Sequence, residues 1–456
     1  MIKLTTQQLA QILNANLIGD GQAVVENINT DTRKSVSNSL FFALKGEHFD
    51  AHQYLDKAVE QGATALVVQQ ANTEIATPQL VVADTRLALG QLAKWLREKI
   101  NPRTVAMTGS SGKTTVKEMT ASILQQTAGN PEAVLFTNGN FNNDIGVPLT
   151  LLRLNEQHKF AVIELGANHQ GEIDYTTHLA QPEAALVNNV AAAHLEGFGS
   201  IEGVARAKGE IYRGLTPNGV AIINSEHNYI ELWKKEIGSH AIQYFNGGDY
   251  KAENVKHSPN GSMFTLVSPK GSIEINLPYL GEHNVKNALA ATALAMNVGA
   301  SLVDVKAGLE HRSQVKGRLF PIQVNENLLL LDDTYNANVD SLQAAIDVLK
   351  GYDAFRILLI GDMKELGEDS LKCHQQVGEH AKQAKLDLVL SYGSESAVIS
   401  EAVLGKHFTD KAELTAYALD IIKQKLQENQ KVVVLAKGSR SMKMEETIYS
   451  LKDSLC

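Results

Sequence analysis

At 456 residues the chain has room for about three domains of ~150 residues each, and its 44% hydrophobic content is enough to fill their cores. The formal net charge of −9 argues against a nucleic-acid partner, because non-specific binding to nucleic acid depends on basic surface. The two cysteines are too few for a disulfide framework. No apolar run approaches the ~20 residues of a membrane span, and the N-terminus lacks the apolar core of a signal peptide. We therefore expect a cytoplasmic protein without membrane insertion.

Residues 1–84 are predicted to form a small α/β domain. The helical spacing of apolar residues between Leu9 and Leu17 predicts an amphipathic helix. Short apolar runs predict strands over residues 40–44, 65–68 and 80–82, with a helix over 54–59 that Gly62 ends.

Two polar segments flank the first predicted strand of this domain. One contains Thr32 and Arg33, and the other begins with Lys45 and Gly46. Together they could form the rim of a site for a polar, phosphorylated ligand. Two ordinary surface loops are the alternative.

The segment from Thr104 to Ile123 has the pattern of a strand, a small-residue loop and a helix. This is the setting in which Gly-Lys-Thr binds phosphate, because glycines let the backbone approach and the helix N-terminus adds partial positive charge. Lys113 would reach the β- and γ-phosphates, and Thr114 would place a hydroxyl on Mg²⁺. The predicted phosphate loop comprises Gly109, Ser110, Ser111, Gly112, Lys113, Thr114 and Thr115.

The phosphate loop departs from the usual pattern at one position. Met107 stands where the usual motif has its first glycine, so the loop is short. The alternative is a glycine- and serine-rich turn with a solvated lysine. The strand before the loop and the helix after it favour the phosphate site.

Strands and helices alternate through residues 85–314, which predicts a central domain of the P-loop type with a mostly parallel sheet. Ligands of such sheets bind at the carboxyl ends of the strands. Glu164 ends one predicted strand, His194 follows the next, and Lys208 lies on a helix beyond it. A carboxylate and an imidazole near a phosphate loop suit a divalent metal, and each residue alone also has an ordinary structural explanation.

Two asparagine-rich segments lie in the same domain. Asn140, Asn142 and Asn143 belong to a loop whose amides suit sugar or peptide recognition, or form a plain turn. Asn284 and Asn287 share one face of a predicted helix. Their amides could pair with the N6 and N7 edge of adenine or cap the helix.

Residues 315–456 are predicted to form a Rossmann-like α/β domain. Core strands are predicted over 328–331, 357–360, 388–390 and 432–435. Polar segments follow three of these strands, so we expect them on one edge of the sheet. They are residues 332–338, 361–367 and 437–440.

These motifs resemble those of the Mur ligase family over essentially the whole chain. The motifs shared across the family are the phosphate loop, Glu164, His194, residues 281–288 and Gly317-Arg318. Residues 139–148, 333–338 and 361–367 resemble the branch that adds D-alanyl-D-alanine.

The resemblance implies that ATP drives amide-bond formation between UDP-N-acetylmuramoyl-tripeptide and D-alanyl-D-alanine, with Mg²⁺, in peptidoglycan precursor synthesis. The substrate carboxylate would attack the γ-phosphate to give an acyl phosphate, and the dipeptide amine would then displace phosphate. A carboxylate is a poor electrophile, and phosphorylation converts its oxygen into a leaving group. We expect a monomer.

The resemblance also implies residue roles. Thr114 and Glu164 would hold one Mg²⁺, and His194 and a carbamylated Lys208 a second, with Lys113 on the phosphates. Other ATP contacts would come from His283, Asn284, Asn287, Arg318 and Asp333. Substrate contacts would come from Thr32, Arg33, Lys45, Gly46, Asn140, Asn142, Asn143, Tyr335, Asn336 and Asn338.

One position departs from the branch. Members commonly have proline after the Tyr-Asn-Ala-Asn segment, and here Val339 follows Asn338. Proline suits the first turn of a helix, so this loop is expected to be less rigid.

Three other functions compete with this interpretation. A sister ligase that adds another amino acid, or a folylpolyglutamate synthase relative, is disfavoured by the branch motifs. A P-loop ATPase or nucleotide-gated switch would turn over ATP without an amine acceptor. A non-catalytic sugar-nucleotide-binding protein is disfavoured by Lys113, Glu164 and His194 together.

Overall fold

The computed structural model describes residues 2–46, 48–192, 195–311 and 316–455. These residues form mixed α/β layers around several mostly parallel sheets, arranged in three successive parts, so the predicted fold class is confirmed. Among the described residues, no helix combines the length and apolar character that crossing a membrane requires.

The N-terminal part contains a five-stranded sheet in the order β2-β7-β6-β5-β4, which is parallel except for the β2–β7 pair. Because β4 and β5 are parallel neighbours, the segments with Arg33 and Lys45 follow them at the same edge. The elements are β1 (Leu4–Thr5), α1 (Thr6–Leu13), β2 (Asn16–Ile18), β3 (Val24–Val25), β4 (Asn27–Asn29), β5 (Ser39–Phe42), α2 (Leu55–Glu60), β6 (Ala63–Val68) and β7 (Gln79–Val81).

The first helix is shorter than the sequence pattern predicted. Thr5 and Gln8 form a capping box at its start, and Asn14 ends it in the left-handed conformation with φ 50°. Leu17 was predicted to lie on this helix, which is wrong. It lies instead in β2, where it pairs with Leu80.

The central part is built on a six-stranded sheet in the order β13-β12-β11-β8-β10-β9, with all strands parallel. The elements are α3 (Thr85–Ile100), β8 (Arg103–Thr108), α4 (Lys113–Ala128), β9 (Val134–Phe136), α5 (Gly146–Leu151), β10 (Phe160–Glu164), α6 (Glu172–Ala180), β11 (Ala184–Val187), α7 (Leu195–Phe198), α8 (Ile201–Gly209), β12 (Val220–Asn224), α9 (Ile230–Ile237), β13 (Ala241–Phe245), β14 (Lys251–Ser258), β15 (Gly261–Ser268), β16 (Gly271–Leu277), α10 (Glu282–Asn297) and α11 (Leu302–Glu310).

Two cores cover the faces of the central sheet. Alternate residues of β8 point to opposite cores, with Ala106 in one and Val105 and Met107 in the other. The core around Met107 includes α4 and the alanine-rich α10, whose small side chains allow close packing. This packing fixes α4 directly behind the phosphate loop.

Helix α3 connects the N-terminal and central parts. Its cap, Asp84, accepts from the N–H groups of Arg86 and Leu87, and its buried face packs on α1, α5 and α6. The apolar core on this side is therefore continuous between the two parts. The domain boundary at residue 84 stays a prediction, and the boundary at 314/315 lies outside the described residues.

The C-terminal part contains a six-stranded sheet in the order β17-β18-β22-β19-β20-β21, parallel except for β17. The elements are β17 (Phe320–Asn325), β18 (Leu328–Asp332), α12 (Val339–Lys350), β19 (Phe355–Gly361), α13 (Ser370–Ala384), β20 (Leu388–Tyr392), α14 (Ala397–Ala402), β21 (Lys406–Phe408), α15 (Lys411–Gln427), β22 (Val432–Lys437) and α16 (Glu445–Leu455). Since β18, β22 and β19 are parallel neighbours, the three polar segments lie at one edge, as predicted.

Candidate active site

The phosphate loop lies at the carboxyl end of β8, between β10 and β11, and leads into α4. Gly112 precedes the helix with φ 75°, and a Cβ there would lie 2.6 Å from Asn188 Nδ2 and 2.7 Å from Asn287 Oδ1. Only glycine therefore fits both the backbone conformation and the crowded position. The glycine in Gly-Lys-Thr has a structural reason in this chain.

Two asparagines that follow β11 hold the phosphate loop in place. Asn189 accepts from the Ser111 N–H at 2.8 Å and donates back to the Ser111 carbonyl at 3.0 Å. Asn188 donates to the same carbonyl at 3.1 Å and to Asn287 Oδ1 at 3.0 Å. Asn188 and Asn189 were not among the predicted site residues, although their place at a strand end was a usable signal.

Lys113 stands at the start of α4 beside the loop. Its Nζ donates to the Gly109 carbonyl at 2.7 Å. Burial lowers the pKa of its amine, Glu164 opposes this shift, and Arg318 adds to it. An anionic phosphate near Lys113 would restore the stability of its charged form.

Glu164 is buried at the end of β10, and each of its carboxylate oxygens has a partner. Thr114 Oγ1 donates to one oxygen at 3.1 Å, and Asn142 Nδ2 donates to the other at 2.9 Å. A hydroxyl oxygen beside a carboxylate is a donor set that Mg²⁺ accepts, so these residues fit the predicted metal. Within the ranges that the structure covers, no group of three or more His, Cys, Asp or Glu residues surrounds a metal position, and His194 lies outside those ranges.

Lys208 reaches the same cleft from α8, where its side chain is buried. Burial, and to a lesser extent Lys113, holds the pKa of its amine well below the ordinary value. A neutral amine is the form that reacts with carbon dioxide. The free amine itself is not a Mg²⁺ ligand, whereas a carbamate would offer two oxygens.

A second, adjoining cavity is lined by residues from both the central and C-terminal parts, including Asn284, Asn287 and Asp333. Asn287 Nδ2 donates to Asn284 Oδ1 at 3.0 Å, so the two amides share a helix face as predicted. Burial, with a smaller effect of Lys437, lowers the pKa of His283 to about 4, so its imidazole is neutral at pH 7. The amide, imidazole and carboxylate groups that line this cavity can form hydrogen bonds with a nucleotide.

Arg318 connects the C-terminal part to the phosphate loop. Its guanidinium lies 4.2 Å from the centre of the Tyr335 ring, and Nη2 donates to Thr114 Oγ1 at 3.2 Å. Its buried Nε has no hydrogen-bond partner among the described residues. The Tyr335 ring and the Thr114 hydroxyl thus hold the Arg318 side chain at the cleft.

The opposite wall of the cleft comes from the loop after β18 and the end of β22. Asn338 caps α12 and donates to the Ser110 carbonyl at 3.3 Å, whereas Asn336 is exposed. Lys437 is buried, forms an ion pair with Asp333 at 2.7 Å and donates to the Asn336 carbonyl at 2.8 Å. Lys437 was predicted to lie at this edge but was not among the predicted site residues.

Comparisons with known proteins agree along the whole chain. Known family domains match three segments: the Mur ligase middle domain over residues 107–295, the Mur ligase glutamate ligase domain over 317–440, and the Mur ligase family catalytic domain over 24–96. The UDP-N-acetylmuramoyl-tripeptide–D-alanyl-D-alanine ligase of Haemophilus influenzae is 77% identical over 100% of both chains.

The chain belongs to the Mur ligase family.

Two solved structures have the same fold as this Mur ligase. Crystal structure I of MurF from Acinetobacter baumannii is 40% identical, covers 99% of each chain and has a TM-score of 0.94. The MurF ligase from Thermotoga maritima, solved in complex with ADP, is 25% identical, covers 94% of this chain and 98% of that chain, and has a TM-score of 0.82.

Some predicted substrate residues of this Mur ligase lie outside the phosphate-loop cleft. Asn140 and Asn143 are exposed, and Asn143 Oδ1 accepts from the Gly146 N–H at 2.8 Å, so that it supports the start of α5. The plain-turn explanation therefore fits Asn143, whereas Asn142 reaches Glu164.

The four predicted contacts in the N-terminal part lie on its own sheet edge. The Arg33 side chain is 84% exposed and forms a double hydrogen bond with Asp31, and Thr32 lies beside it in the same loop. The Gly46 N–H donates to the Phe49 carbonyl at 2.7 Å, and Lys45 lines a different cleft together with His52 and Gln69. Their role toward a sugar nucleotide stays a prediction.

Proposed function

We propose that this Mur ligase uses ATP to join D-alanyl-D-alanine to UDP-N-acetylmuramoyl-tripeptide, a cytoplasmic step of peptidoglycan precursor synthesis. The proposal is based on a single cleft that has residues of the central part on one side and residues of the C-terminal part on the other. The phosphate loop, Glu164 and Lys208 form one wall, and Tyr335, Asn336, Asn338 and Lys437 form the other. The full-length relative named as this ligase supports the same assignment.

ATP would bind across the two adjoining cavities. Its phosphates would lie on the loop from Gly109 to Thr115, and its adenosine would lie beside His283, Asn284, Asn287 and Asp333. The ADP complex of the Thermotoga maritima relative supports a nucleotide as ligand. The neutral imidazole of His283 can lie against a base without the cost of burying a charge.

In the first step, a carboxylate oxygen of the tripeptide would attack the γ-phosphorus of ATP, and the bond to the β–γ bridging oxygen would break. Lys113 and Arg318 are placed to neutralise charge on the phosphoryl group. Bound Mg²⁺ would supply further charge neutralisation, with Thr114 and Glu164 as the residues that hold one ion and His194 and a carbamylated Lys208 as those that hold a second. Catalysis then depends mainly on position and electrostatics.

In the second step, the amine of D-alanyl-D-alanine would attack the acyl carbon, lose a proton and expel phosphate. The loop with Tyr335, Asn336 and Asn338 faces the phosphate loop, where this amine must arrive. An amide-rich wall next to Lys437 suits an acceptor that carries a carboxylate at its far end. We assign residues 315–456 to the dipeptide, 85–314 to ATP and 1–84 to the UDP-sugar.

The nucleotide and acceptor contacts come from one chain, which supports a monomer as the active form. Light scattering after size-exclusion chromatography would test this, and we expect one mass close to 49.5 kDa. A cytoplasmic location follows from the use of ATP and a nucleotide-linked substrate, and fractionation of cells would test it.

The decisive assay measures phosphate release from ATP with each substrate alone and with both. We expect release to require UDP-N-acetylmuramoyl-tripeptide and D-alanyl-D-alanine together, with one amide product per phosphate. Lys113→Ala should abolish it, because a charge at the transferring phosphoryl group is lost. Rapid ATP turnover without an amine acceptor would favour a plain ATPase, and product with a single amino acid but not with the dipeptide would indicate a sister ligase.

A further inference from the structure

Lys117 is a buried lysine with no part in the chemistry described above. It lies on α4, one turn beyond Lys113, and its side chain is only 2% exposed. Such burial prevents direct contact with a ligand in the cleft. Burying an ammonium group is costly unless it is paired and hydrogen-bonded, so its partners indicate what it does.

The amine of Lys117 has three neighbours. Its Nζ donates to the Thr137 carbonyl at 2.8 Å and pairs with Glu118 Oε1 at 2.8 Å. It also lies 5.7 Å from the centre of the Phe136 ring. Two of these neighbours stand at the end of the edge strand β9, so Lys117 ties that strand end to the helix of the phosphate loop.

Thr137 in turn forms a hydrogen bond with the backbone of Glu164. Its hydroxyl accepts from the Glu164 N–H at 3.0 Å, and its own N–H donates to the Val162 carbonyl at 3.1 Å. Thr137 is fully buried, so these bonds do not compete with water. The backbone of the predicted metal ligand is therefore fixed by a residue that Lys117 holds.

The segment that begins at Thr137 also reaches the Glu164 carboxylate. Asn142 donates to Oε1 at 2.9 Å, and its own carbonyl accepts from the Gly166 N–H at 2.8 Å. Thr114, on the same helix as Lys117, donates to Oε2 at 3.1 Å. Helix α4 and the segment after β9 thus hold Glu164 from two sides, and the contact between Lys117 and Thr137 connects them.

We propose that Lys117 and Thr137 are positioning residues that set the orientation of Glu164 for the metal bound with ATP. The inference rests on the proposed function in one respect, namely that Glu164 binds the metal. Residues that orient a metal ligand commonly change metal affinity or activity by about 10–100-fold when replaced. A residue important only for folding would change stability without that selective effect.

The test measures Mn²⁺ binding to the full-length protein by electron paramagnetic resonance, in the presence of a non-hydrolysable ATP analogue. We expect Lys117→Met and Thr137→Val each to weaken Mn²⁺ binding by about tenfold or more. Thr137→Ser should keep near-native affinity because it retains the hydroxyl. Binding of the analogue in EDTA should stay within about twofold of native, because Lys113 and the loop are unchanged.

Lys306→Met is the matched control. Lys306 also donates to a main-chain carbonyl, that of Glu274, and pairs with a glutamate on its own helix, but it lies on α11 away from the cleft. We expect no change in Mn²⁺ affinity for this variant. Thermal unfolding of each variant would identify a fold defect, and Thr137→Val and Thr137→Ser still decide the question if Lys117→Met does not fold.

The variant Glu164→Gln distinguishes an error in the positioning roles of Lys117 and Thr137 from an error in the metal role of Glu164. If it weakens Mn²⁺ binding while Lys117→Met and Thr137→Val bind normally, the positioning roles are wrong and the metal role of Glu164 stands. If Glu164→Gln also binds Mn²⁺ normally, the metal assignment within the proposed function is wrong as well. In the ligase assay, the Mg²⁺ concentration for half-maximal rate should rise in parallel with the loss of Mn²⁺ affinity.

Discussion

Arg318 donates from Nη2 to the hydroxyl of Thr114 over 3.2 Å, which places a side chain of the C-terminal part on the phosphate loop. The same guanidinium lies over the Tyr335 ring, 4.2 Å from its centre. Lysine would keep the charge but lose the planar contact and the fork of donors. We expect Arg318→Lys to raise the KM for ATP about tenfold, in line with the ~1–2 kcal/mol of a desolvated cation–π contact.

The control for this substitution is Arg356→Lys. Arg356 pairs with Asp387 at the start of β19, at the end of the sheet opposite the cleft. Steady-state kinetics at saturating substrates should show an unchanged KM for ATP in that variant. Equal effects of both substitutions would show that general destabilisation, and not the Arg318 contact, is responsible.

Burial, and to a lesser extent Lys113, holds the pKa of the Lys208 amine well below its ordinary value. This favours the neutral form of the amine, which carbon dioxide can modify. Lys208→Arg keeps a long side chain that ends in nitrogen but cannot be carbamylated. We expect it to lower the ligation rate by about 100-fold or more, because even residues that only orient a metal ligand cost about 10–100-fold when replaced. A small carboxylic acid should partly restore Lys208→Ala, and a carbamate signal should appear in ¹³C NMR after addition of labelled bicarbonate. Full activity of Lys208→Arg would exclude the carbamate.

Helix α12 begins at Val339, the position at which the family resemblance led us to expect proline. Asn338, its cap, has φ −144° and ψ 172°, the extended conformation that a residue before proline prefers. We expect Val339→Pro to be tolerated and to raise the free energy of unfolding by up to about 1 kcal/mol, because proline restricts the unfolded chain. Ala345→Pro, inside the same helix, should instead destabilise by about 3 kcal/mol or more. Calorimetry would measure both, and equal losses would refute the assignment of the helix start.

Much of the fold followed from local sequence patterns. The phosphate loop, the parallel strands and α4 were predicted because a strand, a glycine turn and a helix are encoded within some twenty consecutive residues. The antiparallel sheet of β14, β15 and β16 was not predicted. Its outer strand β14 is largely exposed and polar, so it lacks the apolar run that indicated the other strands.

The site was harder to predict where its contacts join distant positions. Asn188 and Asn189 hold the loop from almost eighty residues away, and Lys117 reaches Thr137 from a different element. No local pattern distinguishes a buried lysine of this kind from a solvated one. Leu17 shows that a local pattern can also mislead. Its spacing fitted the predicted helix, but the turn at Asn14 ends that helix before Leu17 is reached.

Asp362 provides a test of pH dependence. Burial alone would raise the pKa of its carboxyl, but the N–H groups of Ser394, Ser396 and Glu395 and the Lys364 ammonium outweigh burial and hold it well below the ordinary value. A depressed pKa in the folded state stabilises the fold above the unfolded pKa, and that stability is lost as pH falls through the folded pKa.

We expect Asp362→Asn to reduce the free energy of unfolding at pH 7 by about 2 kcal/mol or more, since a buried hydrogen-bonded charge is removed. The difference from the native protein should shrink as the pH falls below about 4, near the ordinary pKa of aspartate. Urea unfolding at several pH values would measure it. A difference that stays constant from pH 7 to pH 3 would contradict the assigned role of the charge.

Lys437 and Asp333 form a buried ion pair across the cleft wall. The paired atoms lie 2.7 Å apart, and both side chains are at most 10% exposed. Burial lowers the pKa of Lys437 and Asp333 opposes that shift, so the charged form of Lys437 depends on the neighbouring carboxylate. Lys437 also donates to the Asn336 carbonyl, and in this way it connects the nucleotide side of the cleft to the acceptor side. Removing only the lysine would leave a buried carboxylate without its partner.

We therefore expect Lys437→Met alone to destabilise the protein by about 3–5 kcal/mol, the typical cost of breaking a buried pair. Adding Asp333→Asn should recover most of that stability, because no unpaired charge then remains. Ligation should not recover in the double variant, because the KM values for ATP and for D-alanyl-D-alanine would both stay raised. A double-mutant cycle on the free energy of unfolding and on both KM values would measure this. Recovery of activity together with stability would mean that the pair serves only the fold, and simple additivity of the two losses would mean that the charges do not depend on each other.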